Sequence, residues 1–194
     1  MSELVSVCVF CGSSPGIRPA YGAAADALGA LMAEAGIRLV YGGGNVGLMG
    51  RVADAVMKNG GEAVGVIPRF LMEREVGHSA LTEIHVVDSM HERKAMMAKL
   101  SDGFAILPGG IGTLEEMFEV WTWRQLGLHP KPCAVLNVEG YYDRMAGFLD
   151  HMVTEGFLQP GHRAALEVAA TPQDLLAAMR LRPAPVRPNG LAKT

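Results

Sequence analysis

Residues 106–116 read ILPGGIGTLEE: the end of a buried strand, a glycine turn and the opening of a helix. A glycine turn exposes backbone N–H groups, and a helix N-terminus adds the positive end of its dipole, so the stretch suits a phosphate. Its candidate binding residues are Gly109, Gly110, Ile111, Gly112 and Thr113. Yet Glu115 and Glu116 put two carboxylates beside this anion site. A ligand carrying both a phosphate and a sugar resolves the conflict. The turn takes the phosphate, and a carboxylate one turn further in meets the sugar. Cleavage of a glycosidic bond builds positive charge at the anomeric carbon, which a carboxylate stabilises while it activates the attacking water. Glu116 is the candidate for that role.

A second charged stretch, MHERKAMM at 90–97, places Arg93 and Lys94 in the first turns of a helix. A helix N-terminus disfavours cations, so two of them imply an anion nearby. The alternative is a surface pairing with Glu92 and Asp88, which contributes little.

Other stretches imitate known sites. GGGNVG at 42–47 fits the dinucleotide pattern G-x-G-x-x-G. The next strand ends in VIPRF, without the acidic residue that would bind a ribose diol; Arg69 leaves NADP as an alternative. A pure packing role for these glycines is a better reading than dinucleotide binding, and a phosphate or nucleotide-proximal role for the loop, with Gly43 and Gly44 as binding residues, is better still. GSSPG at 12–16 fits the nucleophile elbow, but His129 and His162 lie in no supporting motif and Pro15 crowds the serine. Ser13 is then a ligand-facing or capping hydroxyl. CVFC at 8–11 lies within a strand, where positions three apart face opposite ways, so it is no redox dithiol. The histidines show no metal spacing, and no metal is expected. Trp121 and Trp123 lie on one helix about 200° apart, so one belongs to the core and the other is free to face a partner subunit or a base.

These residues need a frame, and the pattern supplies one. Short continuous apolar runs, among them LVSVCVFC, IRLVYGGG, EAVGVIP, EIHVVD, GFAILPGG, KPCAVLNV and ALEVAA, alternate with helical stretches. Runs of this kind belong to a parallel sheet covered on both faces, the doubly wound α/β architecture. Ligands in such sheets sit beyond the C-terminal strand ends, where strand order reverses. The chain's 194 residues suit a single domain over 1–180, and a Pro- and Arg-rich tail at 181–194 reads as extended. With 49% apolar and 19% charged residues and a net charge of −3, the composition is that of a globular protein without a nucleic-acid footprint. No apolar run is long enough to span a membrane. The opening MSELV has no basic region before its apolar run, and the three cysteines stand in apolar surroundings, so a cytoplasmic location is expected.

PGGIGTLEE resembles the P-G-G-x-G-T-x-x-E motif of the LONELY GUY family of cytokinin riboside 5′-monophosphate phosphoribohydrolases, and MHERK resembles the family's second motif. CVFCGSSPG, YGGGNVGLMG, QLGLHPKPCAVLNVEGYYD and EGF follow in the same order, so the resemblance runs from about residue 5 to about 180. It implies a Rossmann-like fold without a bound dinucleotide or other cofactor. It also implies hydrolysis of AMP or N6-modified AMP to a free base and ribose 5-phosphate. The catalytic pair would fall on Arg93 and Glu116. The nucleotide contacts would fall on Glu75, Arg93, Lys94, Gly110 to Glu116 and Thr122. A homodimer or dimer-based oligomer is implied, with helix 114–126 a candidate contributor. Ser89 replaces a frequent aspartate, and Ile111 a frequent tyrosine. Two other functions share the pattern: a non-catalytic nucleotide or molybdopterin-cofactor carrier, and an NADP-dependent oxidoreductase.

Overall fold

The computed structural model describes residues 4–72, 77–78 and 80–181. Its strands are β1 (Ser6–Phe10), β2 (Arg38–Tyr41), β3 (Ala63–Pro68), β4 (Glu83–Val87), β5 (Gly103–Ile106), β6 (Cys133–Leu136) and β7 (Leu166–Ala169). They form one seven-stranded, wholly parallel sheet in the order β4-β3-β2-β1-β5-β6-β7. The helices are α1 (Pro19–Glu34), α2 (Gly47–Lys58), α3 (Arg69–Met72), α4 (Met90–Lys99), α5 (Ile111–Gln125), α6 (Asp143–Thr154), α7 (Pro160–Ala164) and α8 (Pro172–Arg180). This is the Rossmann-like doubly wound fold.

Alternation along β1 builds both faces of the core. Val7 and Val9 join Cys11 in a cluster with residues of α1, α2 and α8, whereas Cys8 and Phe10 join α4, α5 and α6 on the other side. The CVFC cysteines therefore sit on opposite faces, as their spacing implies. Every residue of β1, β3, β5 and β6 is buried, which explains the unbroken apolar runs. The edge strand β4 departs from that pattern: Ile84 and Val86 are exposed, with no helix among the described residues covering them.

Strand order reverses between β1 and β5, which pair directly. The chain past β1 is tied to the chain past β5 by Gly12 N–H donating to Pro108 O at 3.0 Å, and to α2 by Leu48 N–H donating to Gly12 O at 3.0 Å. Three loops thus converge on the reversal point, where ligands bind in such sheets. The segment after β3 begins with the single turn α3. Thr171 caps α8 through Asp174 N–H, and Pro172 opens the helix as its position implies. The tail from 182 onward lies outside the described residues.

Candidate active site

At the reversal point lies a cavity of about 330 Å³, lined by Cys11, Gly12 and Ser13 after β1, Met49 of α2, Met90 and Arg93 of α4, and Gly110–Thr113, Glu115 and Glu116 of α5. A neighbouring hollow of about 290 Å³ shares Gly12, Ser13 and Gly110 and is walled by Tyr21, Leu48 and Tyr141.

Helix α5 starts on Gly110, which has extended backbone and supplies no side-chain cap. Its first N–H groups therefore have no intrahelical partner and face the cavity mouth. The turn is fixed from behind: Tyr141 donates its hydroxyl to Gly109 O, and Tyr142 donates to Leu107 O at 2.7 Å. Thr113 is buried in the first helical turn, against Gly109.

Arg93 is 8% exposed, which overturns the surface reading. Its Nε donates to Val66 O at 3.2 Å, and Nη2 to Gly42 O at 3.5 Å, so the guanidinium is hung from the C-terminal ends of β3 and β2. Glu92 and Asp88 are engaged elsewhere: Glu92 Oε2 accepts from Asp88 N–H at 3.0 Å, Glu92 N–H donates to Ser89 Oγ, and the Asp88 carboxylate lies 3.7 Å from Arg69. Ser89 is the N-cap of α4, a position serine fills as readily as aspartate.

Arg93 Nη1 stands 3.9 Å from Glu116 Oε1, too far for a direct hydrogen bond. The Glu116 side chain is 12% exposed. Burial raises its carboxyl from an ordinary 4.5 to about 7, against the opposing pull of Arg93. A carboxylate in this environment changes charge near neutral pH, which suits acid–base work.

Lys94 lies beside Arg93 but turns to α5, donating to Glu115 Oε1 at 2.6 Å and to Glu119 Oε1 at 3.0 Å. Burial opposes its charge, yet the two carboxylates win and hold its pKa above the ordinary value.

The structure thus brings Ser13, Arg93, Gly110, Ile111, Gly112, Thr113, Glu115 and Glu116 together around one cavity, with Gly109 lining the neighbouring hollow. Lys94, Gly43, Gly44, Leu114 and Thr122 do not line it. Gly43 and Gly44 are buried and latch the segment at 77–78: His78 N–H donates to Gly43 O, and Gly44 bridges Gly77. Leu114 packs into the core, and Thr122 is exposed on α5. Glu75 lies outside the described residues. Sequence reasoning missed Met49 and Met90, whose apolar side chains announce no chemistry, and Tyr141, whose hydroxyl is spent on the Gly109 carbonyl. His129 and His162 line neither hollow, so Ser14 has no histidine there to activate it.

A family model described as "possible lysine decarboxylase" matches residues 49–179. A probable cytokinin riboside 5′-monophosphate phosphoribohydrolase of Oryza sativa subsp. japonica is 53% identical over 175 residues, 90% of this chain and 71% of the relative. The cytokinin riboside 5′-monophosphate phosphoribohydrolase of Rhodococcoides fascians is 49% identical over 176 residues, 90% and 89% of the two chains. The chain belongs to the LONELY GUY family. Solved structures share the fold at lower identity. The molybdenum cofactor carrier protein of Chlamydomonas reinhardtii has a TM-score of 0.69 at 19% identity, covering 92% of this chain and 98% of that one. The molybdenum cofactor binding protein of Rippkaea orientalis gives 0.67 at 19% identity over 91% and 96%. The decarboxylase wording finds no support in the LONELY GUY site as it stands here: a Schiff-base enzyme needs a lysine at the ligand, and no lysine lines either hollow.

Proposed function

We propose that this protein hydrolyses the N-glycosidic bond of AMP and N6-modified AMP, releasing adenine or a cytokinin and ribose 5-phosphate. The observation that carries the reading is the buried, loosely opposed Arg93–Glu116 pair set one helical turn from an unblocked helix N-terminus. The N–H groups of Gly110–Thr113, with Ser13, hold the 5′-phosphate. That places the ribose over Glu116 and Arg93. Glu116 faces the positive charge growing at C1′ and takes a proton from the attacking water. The C1′–N9 pair leaves with the base, which gains a proton, and the remaining hydroxide becomes the C1′ hydroxyl. Arg93 has a planar fork suited to a sugar hydroxyl or phosphate oxygen, which lysine would not reproduce.

The exposed Phe118 and Thr122 lie four residues apart on one face of α5. We place a second copy of the chain against this face, so that Thr122 meets nucleotide in the partner's site, with residues 1–180 as one unit in a cytoplasmic homodimer. The carrier reading is weaker: a carrier has no use for a carboxylate poised to titrate near neutrality.

The test is chromatography of products from AMP and isopentenyl-AMP with wild type, Glu116→Gln and Arg93→Ala. Both variants should keep the fold and lose turnover by on the order of 10²–10⁴-fold. Wild-type turnover in either removes that residue from the catalytic pair.

A further inference from the structure

Behind the reacting carboxylate lies a second charged group. The Lys94 side chain is only 10% exposed, and its ammonium is shared between Glu115 and Glu119 of α5. The second oxygen of Glu119 is buried without a hydrogen-bond partner. Such an arrangement is weak evidence for stability, because apolar side chains of similar volume serve packing as well or better. It is also absent from the lining of the cavity. A buried lysine that neither touches the ligand space nor improves packing is best explained by what it does to its neighbours, and its neighbours on each helix are the two catalytic residues. Lys94 follows Arg93 directly, and Glu115 precedes Glu116 directly.

We propose that Lys94, clamped between Glu115 and Glu119, is a positioning residue: it locks α5 to α4 so that Glu116 faces Arg93, and it supplies a fixed positive charge that keeps Glu116 usable near neutral pH. The proposal rests on Glu116 being the reacting carboxylate.

The groups that act on Glu116 are Arg93 and Lys94 from α4 and Glu115 and Glu119 from α5, with the thiols of Cys8 on β1 and Cys11 just past it coupled to the same carboxylate. Arg93 and Lys94 favour its ionised form; Glu115 and Glu119 oppose it. The two ends of the clamp therefore act in opposite directions. Lys94→Met removes a positive charge and leaves two carboxylates uncompensated, so Glu116 should ionise at higher pH. Glu119→Gln removes a negative charge, so Glu116 should ionise at lower pH. Mere loosening of the helix pair would not produce opposite signs from two sides of one contact.

The experiment measures kcat/KM for AMP against pH in wild type, Lys94→Met, Lys94→Arg and Glu119→Gln. In parallel, the Glu116 carboxyl is titrated by ¹³C NMR in the nucleotide-free protein. The acid limb and the NMR midpoint should move up by roughly 0.5–1 unit in Lys94→Met and down by a similar amount in Glu119→Gln. Lys94→Arg, which keeps the charge, should stay nearer wild type than Lys94→Met. Shifts in the same direction, or none, overturn the proposal. So does a tenfold rise in KM with an unmoved limb in Lys94→Met, which would make Lys94 a direct substrate contact. If Lys94→Met does not fold, the downward shift in Glu119→Gln decides alone. If no nucleotide is hydrolysed, the functional reading fails while the NMR titration still tests the clamp.

Discussion

Two glycine-rich loops flank the cavity and use glycine in opposite ways. After β2 the space beside Gly42, Gly43, Gly47 and Gly50 is already filled. A Cβ on Gly42 would strike the Arg93 guanidinium, and one on Gly47, at φ +58°, would strike the Ser13 backbone. After β5 only the first glycine is filled, Gly109 by Thr113 and Gly12; beyond it the space is empty, and a Cβ on Gly110 or Gly112 would meet nothing within 4 Å. The first loop is bare so that the protein can approach itself. The second is bare toward open space, as a ligand-binding turn must be. Two similar strings of glycine therefore mean different things, and the neighbours decide which.

Substitution at Gly42 tests the filled loop and should have the largest effect. The obstacle to a methyl group there is the far end of a flexible side chain, so the fold can adapt by moving the Arg93 guanidinium. It cannot do so without spoiling the alignment with Glu116. Gly42→Ala should fold normally and lose about 10²-fold in kcat, the scale of an ångström-sized misplacement. Unchanged turnover would show that the close approach of Arg93 to Gly42 is incidental.

Gly112→Ala tests the open loop, with a smaller effect on function and the opposite effect on stability. The residue is helical and has room, so alanine should stabilise the protein by roughly 0.5–1 kcal/mol. The same methyl group should crowd a phosphate on the helix N-terminus and raise KM for AMP about tenfold, a loss of about 1.4 kcal/mol. Adenosine, which lacks the phosphate, should be a far poorer substrate of the wild type, because remote binding energy positions the sugar. It should also be indifferent to Gly112→Ala. An equal penalty for nucleotide and nucleoside would move the phosphate elsewhere.

The order of strands and helices was legible because buried parallel strands must be apolar throughout. Even the site's place, beyond β1, β2 and β5, followed from the reversal of strand order. Arg93 could be singled out because a cation early in a helix is anomalous without an anion. Lys94 met the same criterion for a different reason: its anions are Glu115 and Glu119, which sequence spacing alone cannot bring across from another helix. Gly43 and Gly44 were read toward a ligand because a glycine motif does not say whether the missing side chains are replaced by ligand or by protein. Edge strand β4 reads like a central strand, since Ile84 and Val86 are apolar although they are exposed.

The open loop has a further consequence, smaller in energy and readable without substrate. Beside the open turn Glu116 is 12% exposed, and Arg93 at 3.9 Å together with Lys94 offsets only part of the cost of burying its charge. Its carboxyl is raised from 4.5 to about 7 in the folded protein. Between those values the folded state keeps a proton that the unfolded chain has released. The stability associated with this group is therefore fully present below about pH 4.5 and is lost as pH rises through about 7. Glutamine resembles the protonated form and cannot ionise. Glu116→Gln should match wild type closely at pH 5 and exceed it at pH 8 by roughly 1–3 kcal/mol, although it removes the reacting group. Denaturant unfolding of both proteins at the two pH values measures this directly. If Glu116 is instead well solvated or tightly paired when charged, the variant will be no more stable at pH 8 than at pH 5. The contrast between a loop filled by protein and one held open would then lose its energetic counterpart.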